Sequence, residues 1–226
     1  MIEVTNIESL SDFIEAVEIA PLFGKKVLFR GQKVHRNLLP GIARSDRFAN
    51  TTDIEKETLE QFRLLGSELL SSRDDDDWYA IVKAQHHGLT TRCLDWTSNP
   101  LVAMWFACVD SLDVDSYVYM LGADNTAVPN KNKSPFEQDH ICILQPSFES
   151  PRVSAQHGWL TVHHYSDDQF KPLECYSENE FFLCEYEVRK EHKVGILNSL
   201  DRCGINKSTI YPDLDGLCGY LNSKFT

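Results

Sequence analysis

The sequence has little positive charge. It carries 22 lysines and arginines against 34 aspartates and glutamates, which gives a formal net charge of −12. A field of that sign repels a phosphate backbone, and counterion release requires a basic surface. We therefore do not expect tight non-specific binding to nucleic acid, unless the scattered basic residues gather in a local groove.

Long apolar runs are also missing. No stretch approaches the ~18 consecutive apolar residues that a membrane-spanning helix needs. The first twenty residues contain no lysine or arginine, so they do not have the charged start of a secretory signal. These absences predict a cytoplasmic protein without a membrane partner.

The sequence contains cysteines, but their spacing does not form a recognisable motif. The seven cysteines form no C-x-x-C motif, and most lie in apolar surroundings, which predicts buried, reduced thiols. The adjacent pairs His86-His87 and His163-His164 point different ways on a helix or a strand. Because zinc ligands need close clusters, the sequence predicts no metal site.

The 226 residues are 42% apolar and show no repeat or linker, which predicts one globular domain over residues 1–226. The pattern mixes helices and strands, which predicts an α+β fold. Predicted helices begin at a Ser9–Asp12 capping box and near residues 52, 77, 101, 191 and 213. The first is expected to end before Pro21, and Gly88 and Gly204 are expected to stop the third and the fifth. Ser98-Asn99-Pro100 supplies a cap and a first-turn proline to the fourth. Predicted strands cover 26–30 (ended by Gly31), 91–95, 117–121, 141–144, a pair within 153–164, and 181–188. The helix from Thr52 is predicted to have an apolar stripe that consists of Leu59, Phe62, Leu65, Leu69 and Leu70.

Two segments are crowded with polar groups that a plain core does not need. In the first, Phe29 to Gln32, Arg30 ends a strand and Gly31 allows a ligand to approach the backbone. The second, Ala84 to Pro100, joins helix, strand and helix, and the next helix offers its N-terminus to an anion. The structural alternative stays open: Arg30 could pair with a local carboxylate, and Asp95 could accept backbone N–H groups at a turn.

The motifs resemble those of the FRG-domain family, named for a Phe/Tyr-Arg-Gly motif that is found here at residues 29–31. The long family signature, approximately A-Q-H-[YH]-G-L-P-T-R-L-L-D-W-T-x-N-P, is matched within residues 84–100. Thr90 and Cys93 depart from it, standing where proline and leucine are usual. Further agreement is found at Pro40 with Arg44, at 151–158 and at 211–216, so the resemblance spans residues from about 26 to about 221.

The resemblance implies a fold similar to that of ADP-ribosyltransferases, a split, two-sheet α+β core that clasps NAD as co-substrate. In that fold a residue of the first strand holds NAD and an acid touches its ribose. The implied catalytic residues are Arg30, Asp95 and Gln156. The implied NAD-binding residues are Arg30, Gln32, Gln85, His86, Arg92, Trp96 and Thr97. Because polar side chains interrupt apolar elements at strand ends, we expect one cleft to be shared by Arg30, Gln85, Arg92, Asp95, Thr97 and Gln156.

One departure bears on chemistry, because Gln156 stands where the resemblance leads us to expect glutamate. A carboxylate stabilises the positive charge that develops on ribose when the glycosidic bond breaks, whereas an amide supplies no charge. Asp95 is our first candidate to replace it. The E-x-E pairs Glu178/Glu180 and Glu185/Glu187 are alternatives, although the alternating strand favours a solvated face for the second pair.

Three classes of function follow. The first is an NAD-dependent ADP-ribosyltransferase or NAD glycohydrolase, with a protein or small molecule favoured over nucleic acid as acceptor. The second is a non-catalytic module that binds a nucleotide or metabolite. The third is a protein–protein adaptor in a defence or toxin–antitoxin complex. For the enzyme, we expect a role in bacterial toxin or phage-defence biology.

Overall fold

The computed structural model describes residues 4–18, 26–124, 128–146, 150–176 and 181–225, and it combines helices and strands. The strands are β1 (Val4–Ile7), β2 (Val27–Gln32), β3 (Cys93–Thr97), β4 (Ser116–Gly122), β5 (Cys142–Leu144), β6 (Gly158–Val162), β7 (Tyr165–Ser166), β8 (Gln169–Phe170) and β9 (Phe182–Val188). The helices are α1 (Leu10–Val17), α2 (Thr52–Leu65), α3 (Asp77–His86), α4 (Pro100–Cys108), α5 (Pro151–Ala155), α6 (Lys190–Arg202), α7 (Lys207–Ile210) and α8 (Leu214–Phe225). The predicted α+β class is confirmed.

Seven strands form one sheet in the order β1-β9-β4-β2-β3-β6-β5. Neighbours are antiparallel, except that β1 runs parallel to β9. Strands β7 and β8 form a separate hairpin. The buried residues on the two faces of the sheet pack against helices, so the sheet is the frame of the molecule.

The sheet is weakly joined in its middle. β2 pairs with β4 along its whole length from Val27 to Gln32, but it pairs with β3 only through Phe29 and Thr97. Beyond that pair the two strands separate, and the side chain of Arg30 crosses between them. Its Nη1 donates a hydrogen bond of 2.6 Å to the backbone carbonyl of Asp95. The sheet therefore consists of two sections, β1-β9-β4-β2 and β3-β6-β5, that meet at a narrow junction.

Helix α4 packs against the junction at very close range. Asn99 caps the helix by accepting a hydrogen bond from the backbone N–H of Leu101, and Pro100 occupies its first turn, as the sequence predicts. A Cβ added to Gly31 would lie 2.0 Å from the carbonyl oxygen of Ala103. Gly31 was expected to end the strand, and that expectation is wrong, because β2 continues through it to Gln32. The glycine allows the backbone of α4 to approach the strand.

Several other boundaries follow the predicted pattern. Ser9 and Asp12 form the expected capping box of α1, and Gly88 and Gly204 adopt positive φ just after α3 and α6. The predicted end of the first helix at Pro21 lies outside the described residues.

The pattern was misleading at three places. The stripe of α2 was extended too far, since the helix ends at Leu65, and Leu65 and Leu69 are 82% and 85% exposed. Residues 153–155, predicted to begin a strand pair, belong instead to helix α5, because Pro151 begins a helical turn. Strand β3 begins and ends two residues later than predicted.

All seven cysteines are free thiols, as expected for reduced cysteine. Burial raises the pKa of Cys93 and Cys142 to about 12 and that of Cys108 to about 11. The predicted burial is wrong for Cys175, Cys203 and Cys218, which are exposed. Within the part of the chain that the structure describes, no helix is both long and apolar enough to cross a bilayer.

Replacing Gly31 with alanine is expected to lower the free energy of unfolding by about 1–3 kcal/mol or more, because the new methyl group would displace α4. Gly195 is the matched control. It lies in the exposed interior of α6 with no atom within 4 Å of an added Cβ, so Gly195→Ala should stabilise by about 0.5–1 kcal/mol. Denaturant titration of both variants measures the difference. Equal effects of the same sign would contradict the close approach.

Candidate functional site

A cleft opens where the two sections of the sheet separate, and its volume is about 450 Å³. Its walls come from β2 and the segment after it, from the ends of α3 and β3, and from α4, α5 and the start of β6. The predicted site residues that line it are Arg30, Gln32, Gln85, His86, Asp95, Trp96, Thr97 and Gln156. Polar side chains separated by more than a hundred positions therefore share one concave surface, as the sequence predicts.

Arg30 is the central cation of the cleft. Burial lowers its pKa to about 10, with the Asp95 charge opposing the shift and the nearby Arg44 adding to it. The guanidinium still carries its charge at neutral pH. Its Nη1 is bonded to the Asp95 carbonyl, but its buried Nε has no hydrogen-bond acceptor among the described residues. A buried N–H without an acceptor is costly, so the Nε of Arg30 can still donate a hydrogen bond to a ligand atom with a lone pair.

Asp95 is exposed in the cleft and is held by a chain of hydrogen bonds. Gln85 donates from Nε2 to the Asp95 carboxylate at 2.9 Å. The other end of the same amide, Oε1, accepts a bond of 2.7 Å from the Thr91 hydroxyl, which in turn accepts from the backbone N–H of Cys93. The chain fixes which end of the Gln85 amide faces the carboxylate. Asp95 is thereby a positioned negative charge at the mouth of the cleft.

Trp96 and Thr97 have clear structural roles. Trp96 is 3% exposed, and its Nε1 donates to the buried hydroxyl of Thr161 at 3.1 Å. The Thr97 hydroxyl accepts from the backbone N–H of Asn99 and so shapes the entry to α4. Both residues contribute to the cleft wall, but their polar atoms are occupied within the fold.

Gln156 follows α5 as its C-cap and faces the cleft. Its Nε2 donates to the carbonyl of Ile210 at 3.4 Å, a long bond that links α5 to the end of α7. The amide is half-buried and supplies no charge. Gln156 therefore lines the cleft, and its contact with a ligand stays a prediction.

The structure corrects the grouping of Arg92 with these residues. Arg92 is 1% exposed, does not line the cleft, and forms a forked ion pair with the buried carboxylate of Glu55, at 2.9 and 3.2 Å. It also donates to the Thr52 hydroxyl at 3.0 Å. Arg92 therefore joins β3 to α2 inside the protein.

Four basic residues of the cleft were not among the predicted site residues: Lys33, Arg36, Arg44 and Arg152. With Arg30 they make five cations, whereas the carboxylates on the wall are those of Asp95 and Asp110. The cleft thus has a formal surplus of three positive charges in a chain of net charge −12. The family blocks at 40–44 and 151–158 contained a signal for Arg44 and Arg152, but the sequence did not show that they meet Arg30.

The E-x-E pair Glu185/Glu187 does not line the cleft. Glu178 and Glu180 lie outside the described residues. The solvated-face interpretation is wrong for Glu185, which is 7% exposed and lies 3.3 Å from the imidazole of His35. Burial raises the pKa of Glu185. Glu185 lies across β4 from Arg30, since both residues pair with Tyr119.

The fold and the cleft define an α+β domain with a cationic ligand site between two sections of a sheet. Comparison with protein families gives the matching class, because the model of the FRG domain matches residues 25–116. This segment is an FRG domain, and the resemblance based on Phe29-Arg30-Gly31 and on residues 84–100 is confirmed. No curated protein and no solved structure matches the chain.

Removing one partner of the buried Arg92–Glu55 pair should be costly, because the remaining charge is buried without compensation. Arg92→Met is expected to lower the free energy of unfolding by about 3–5 kcal/mol. The double variant Arg92→Met/Glu55→Met should lose clearly less than Arg92→Met alone. A double-mutant cycle by chemical denaturation measures the coupling, and additive losses would contradict the structural role of the pair.

Proposed function

We propose that the cleft binds NAD and that the protein transfers ADP-ribose from it to an acceptor or to water. The observation that carries this proposal is the meeting of Arg30 and Asp95 at the junction of the two sheet sections. The first offers a guanidinium whose buried Nε has no acceptor among the described residues, and the second offers a positioned carboxylate. A bound dinucleotide needs the first charge, and glycosidic cleavage needs the second.

The cleft has suitable chemistry for the diphosphate of NAD. The buried Nε of Arg30 has no acceptor among the described residues, and Arg44 lies close enough to lower the pKa of Arg30 further. Two neighbouring guanidinium groups repel each other until an anion lies between them. In this proposal Arg30 and Arg44 hold the phosphates, while Gln32, His86 and Trp96 line the remaining wall.

The form of the sheet supports the finer fold assignment. An ADP-ribosyltransferase-like core has two sheets that separate around NAD, and the single β2–β3 residue pair divides this sheet at the corresponding place. The order of the cleft walls along the chain also agrees, with Arg30 on an early strand and Asp95 on a strand that leads into a helix. We include this fold assignment in the proposal.

NAD would supply the ADP-ribosyl group, whose bond to nicotinamide breaks with the electron pair leaving on nicotinamide. The acceptor oxygen or nitrogen forms the new bond to ribose and loses a proton to solvent. The contribution of this chain is the Asp95 carboxylate, which stabilises positive charge on the ribose. Gln85 holds that carboxylate in place, and Gln156 offers an amide for hydrogen bonding to a ribose hydroxyl.

A binding function without turnover is the second candidate, and one observation favours it. The residue at the expected acidic position, Gln156, donates its amide to the Ile210 carbonyl and brings no charge to the cleft. A site that lacks this carboxylate could hold a nucleotide as a sensor. Turnover by the wild-type protein distinguishes the two candidates.

Arg30→Lys is expected to weaken the binding of ADP-ribose by about tenfold or more, because a lysine cannot present two parallel N–H groups to a phosphate. Calorimetric titration measures the affinity. Arg202→Lys is the matched control, since Arg202 is an exposed arginine at the end of α6 and should leave affinity unchanged. If the Arg30→Lys protein bound ADP-ribose as tightly as the wild type, the result would contradict a two-pronged contact from Arg30 to a phosphate.

Asp95→Asn keeps the shape of the side chain and its bond from Gln85 but removes the charge. We expect nicotinamide release to fall by roughly 100-fold, a barrier increase near ~3 kcal/mol, with little change in NAD affinity. If Asp95 is only a structural acceptor, the variant should instead lose about 1–3 kcal/mol of stability and keep its activity in the folded fraction.

Gln156→Glu completes the test of catalysis. If the chain has an ADP-ribosyltransferase fold that has lost its usual acid, this variant should release nicotinamide faster than the wild type. Release assays on the wild type and both variants are paired with melting midpoints. No release by any of the three folded proteins would leave the binding function as the explanation of the cleft.

A further inference from the structure

The cleft carries more positive charge than NAD can neutralise. Of its five cations, Lys33 lies 3.9 Å from Asp110, so that pair cancels. The remaining guanidinium groups of Arg30, Arg36, Arg44 and Arg152 face only the carboxylate of Asp95 on the wall. NAD brings one negative charge per phosphate, and its nicotinamide ring is positive. The cleft therefore keeps a positive surplus after NAD is bound.

Arg152 comes from a different element of the cleft wall than the other arginines. It belongs to α5, whereas Arg30, Arg36 and Arg44 come from β2 and the segment after it. Its guanidinium stacks on the ring of Tyr211, with 4.5 Å from Cζ to the ring centroid. Stacking orients the plane of the group but does not satisfy its N–H donors.

The donors of Arg152 are incompletely used. Its Nε is buried and has no hydrogen-bond acceptor within the described ranges, and no described carboxylate forms an ion pair with it. Arg30 Nε and Arg152 Nε are the two arginine atoms in this condition among those ranges, and both residues line the same cleft. An arginine with a fixed plane and free donors is suited to a bidentate anion.

His86 lies close enough to Arg152 for the charge of the guanidinium to affect its pKa. His86 lies on the same wall, with its Nε2 3.2 Å from the Ser150 hydroxyl. Burial lowers the pKa of His86, and the charges of Arg152 and His87 lower it further, while Asp95 opposes them. His86 is therefore mainly neutral at pH 7, and its pKa depends on the charge of Arg152.

We propose that Arg152 forms a second anion-binding position in the cleft, separate from the Arg30–Arg44 pair, which takes a phosphate group carried by the small-molecule acceptor. That the phosphate belongs to an acceptor rests on the proposed function, whereas the anion position itself depends on the charge surplus and on the buried Nε of Arg152. A small acceptor fits better than a polyanion, because the net charge of −12 repels long phosphate chains. The stack on Tyr211 holds the guanidinium ready for a compact phosphate.

The experiment fills the two positions one after the other. ADP-ribose is added to saturation to occupy the Arg30 side, and inorganic phosphate is then titrated while the imidazole signal of His86 is followed by NMR. A phosphate beside Arg152 cancels its field, so the pKa of His86 should rise on binding. In Arg152→Gln the phosphate affinity should fall by about tenfold or more, and the pKa of His86 should no longer respond to phosphate.

Two further variants distinguish a specific anion position at Arg152 from the general effect of losing a positive charge or stability. Arg202→Gln removes an exposed arginine outside the cleft and should behave as the wild type. Arg152→Lys keeps the charge but loses the fork, so it should show an intermediate affinity and a normal melting midpoint. If Arg152→Gln unfolds, Arg152→Lys provides the comparison.

The outcomes for the two proposals differ. Phosphate that binds in an Arg152-dependent way beside saturating ADP-ribose supports the second position. If ADP-ribose does not bind, the proposed function fails, but phosphate binding that Arg152→Gln weakens still supports the anion position. The anion position is overturned if phosphate does not bind. It is also overturned if phosphate binds equally to the wild type and Arg152→Gln while the pKa of His86 does not change.

Discussion

The hydrogen bond from Arg30 to the Asp95 carbonyl lies where the sheet would otherwise come apart. β2 and β3 share one residue pair, and beyond it the backbone groups of the two strands no longer reach each other. Backbone carbonyls in such a place need a partner, and a charged guanidinium is a stronger donor than an amide. The same side chain thus closes the junction and enters the cleft. A substitution of Arg30 changes the sheet and the site together, which is why the Arg30→Lys variant needs a stability control.

Helix α4 links the fold to the site from the other side. It begins directly after β3, where Thr97 and Asn99 fix its entry, and its backbone passes against Gly31 of β2. The two sheet sections, joined by one residue pair, are therefore also held by a shared helix. Because packed elements deform little, this contact limits how far the cleft can open or close. Conformational change on binding is better accommodated by the segment after β2, where Lys33, Arg36 and Asn37 are exposed.

The sequence was most informative where local rules decide the structure. The caps at Ser9 and Asn99 and the glycines after α3 and α6 depend on neighbours within a few residues, and these predictions were confirmed. The polar segments also indicated a common cleft. The pattern could not show that Arg92 is paired inside the protein, because its partner Glu55 is 37 positions away. The role of Gly31 was hidden for a similar reason, since α4 reaches it only through the fold.

The charge of the cleft is the property that composition conceals most completely. A net charge of −12 suggests a surface that repels anions, yet the cleft gathers arginines from separate parts of the chain. Screening limits the effect of the outer acids, because exposed charges more than about 8 Å away contribute little at physiological salt. Inside the cleft the effective dielectric constant is lower, and this strengthens the attraction between the arginines and an anion. The protein can therefore exclude long polyanions at its surface and still attract a compact anion to the junction of its sheet. Since the arginines repel one another until such an anion arrives, any anion that binds there must also stabilise the fold.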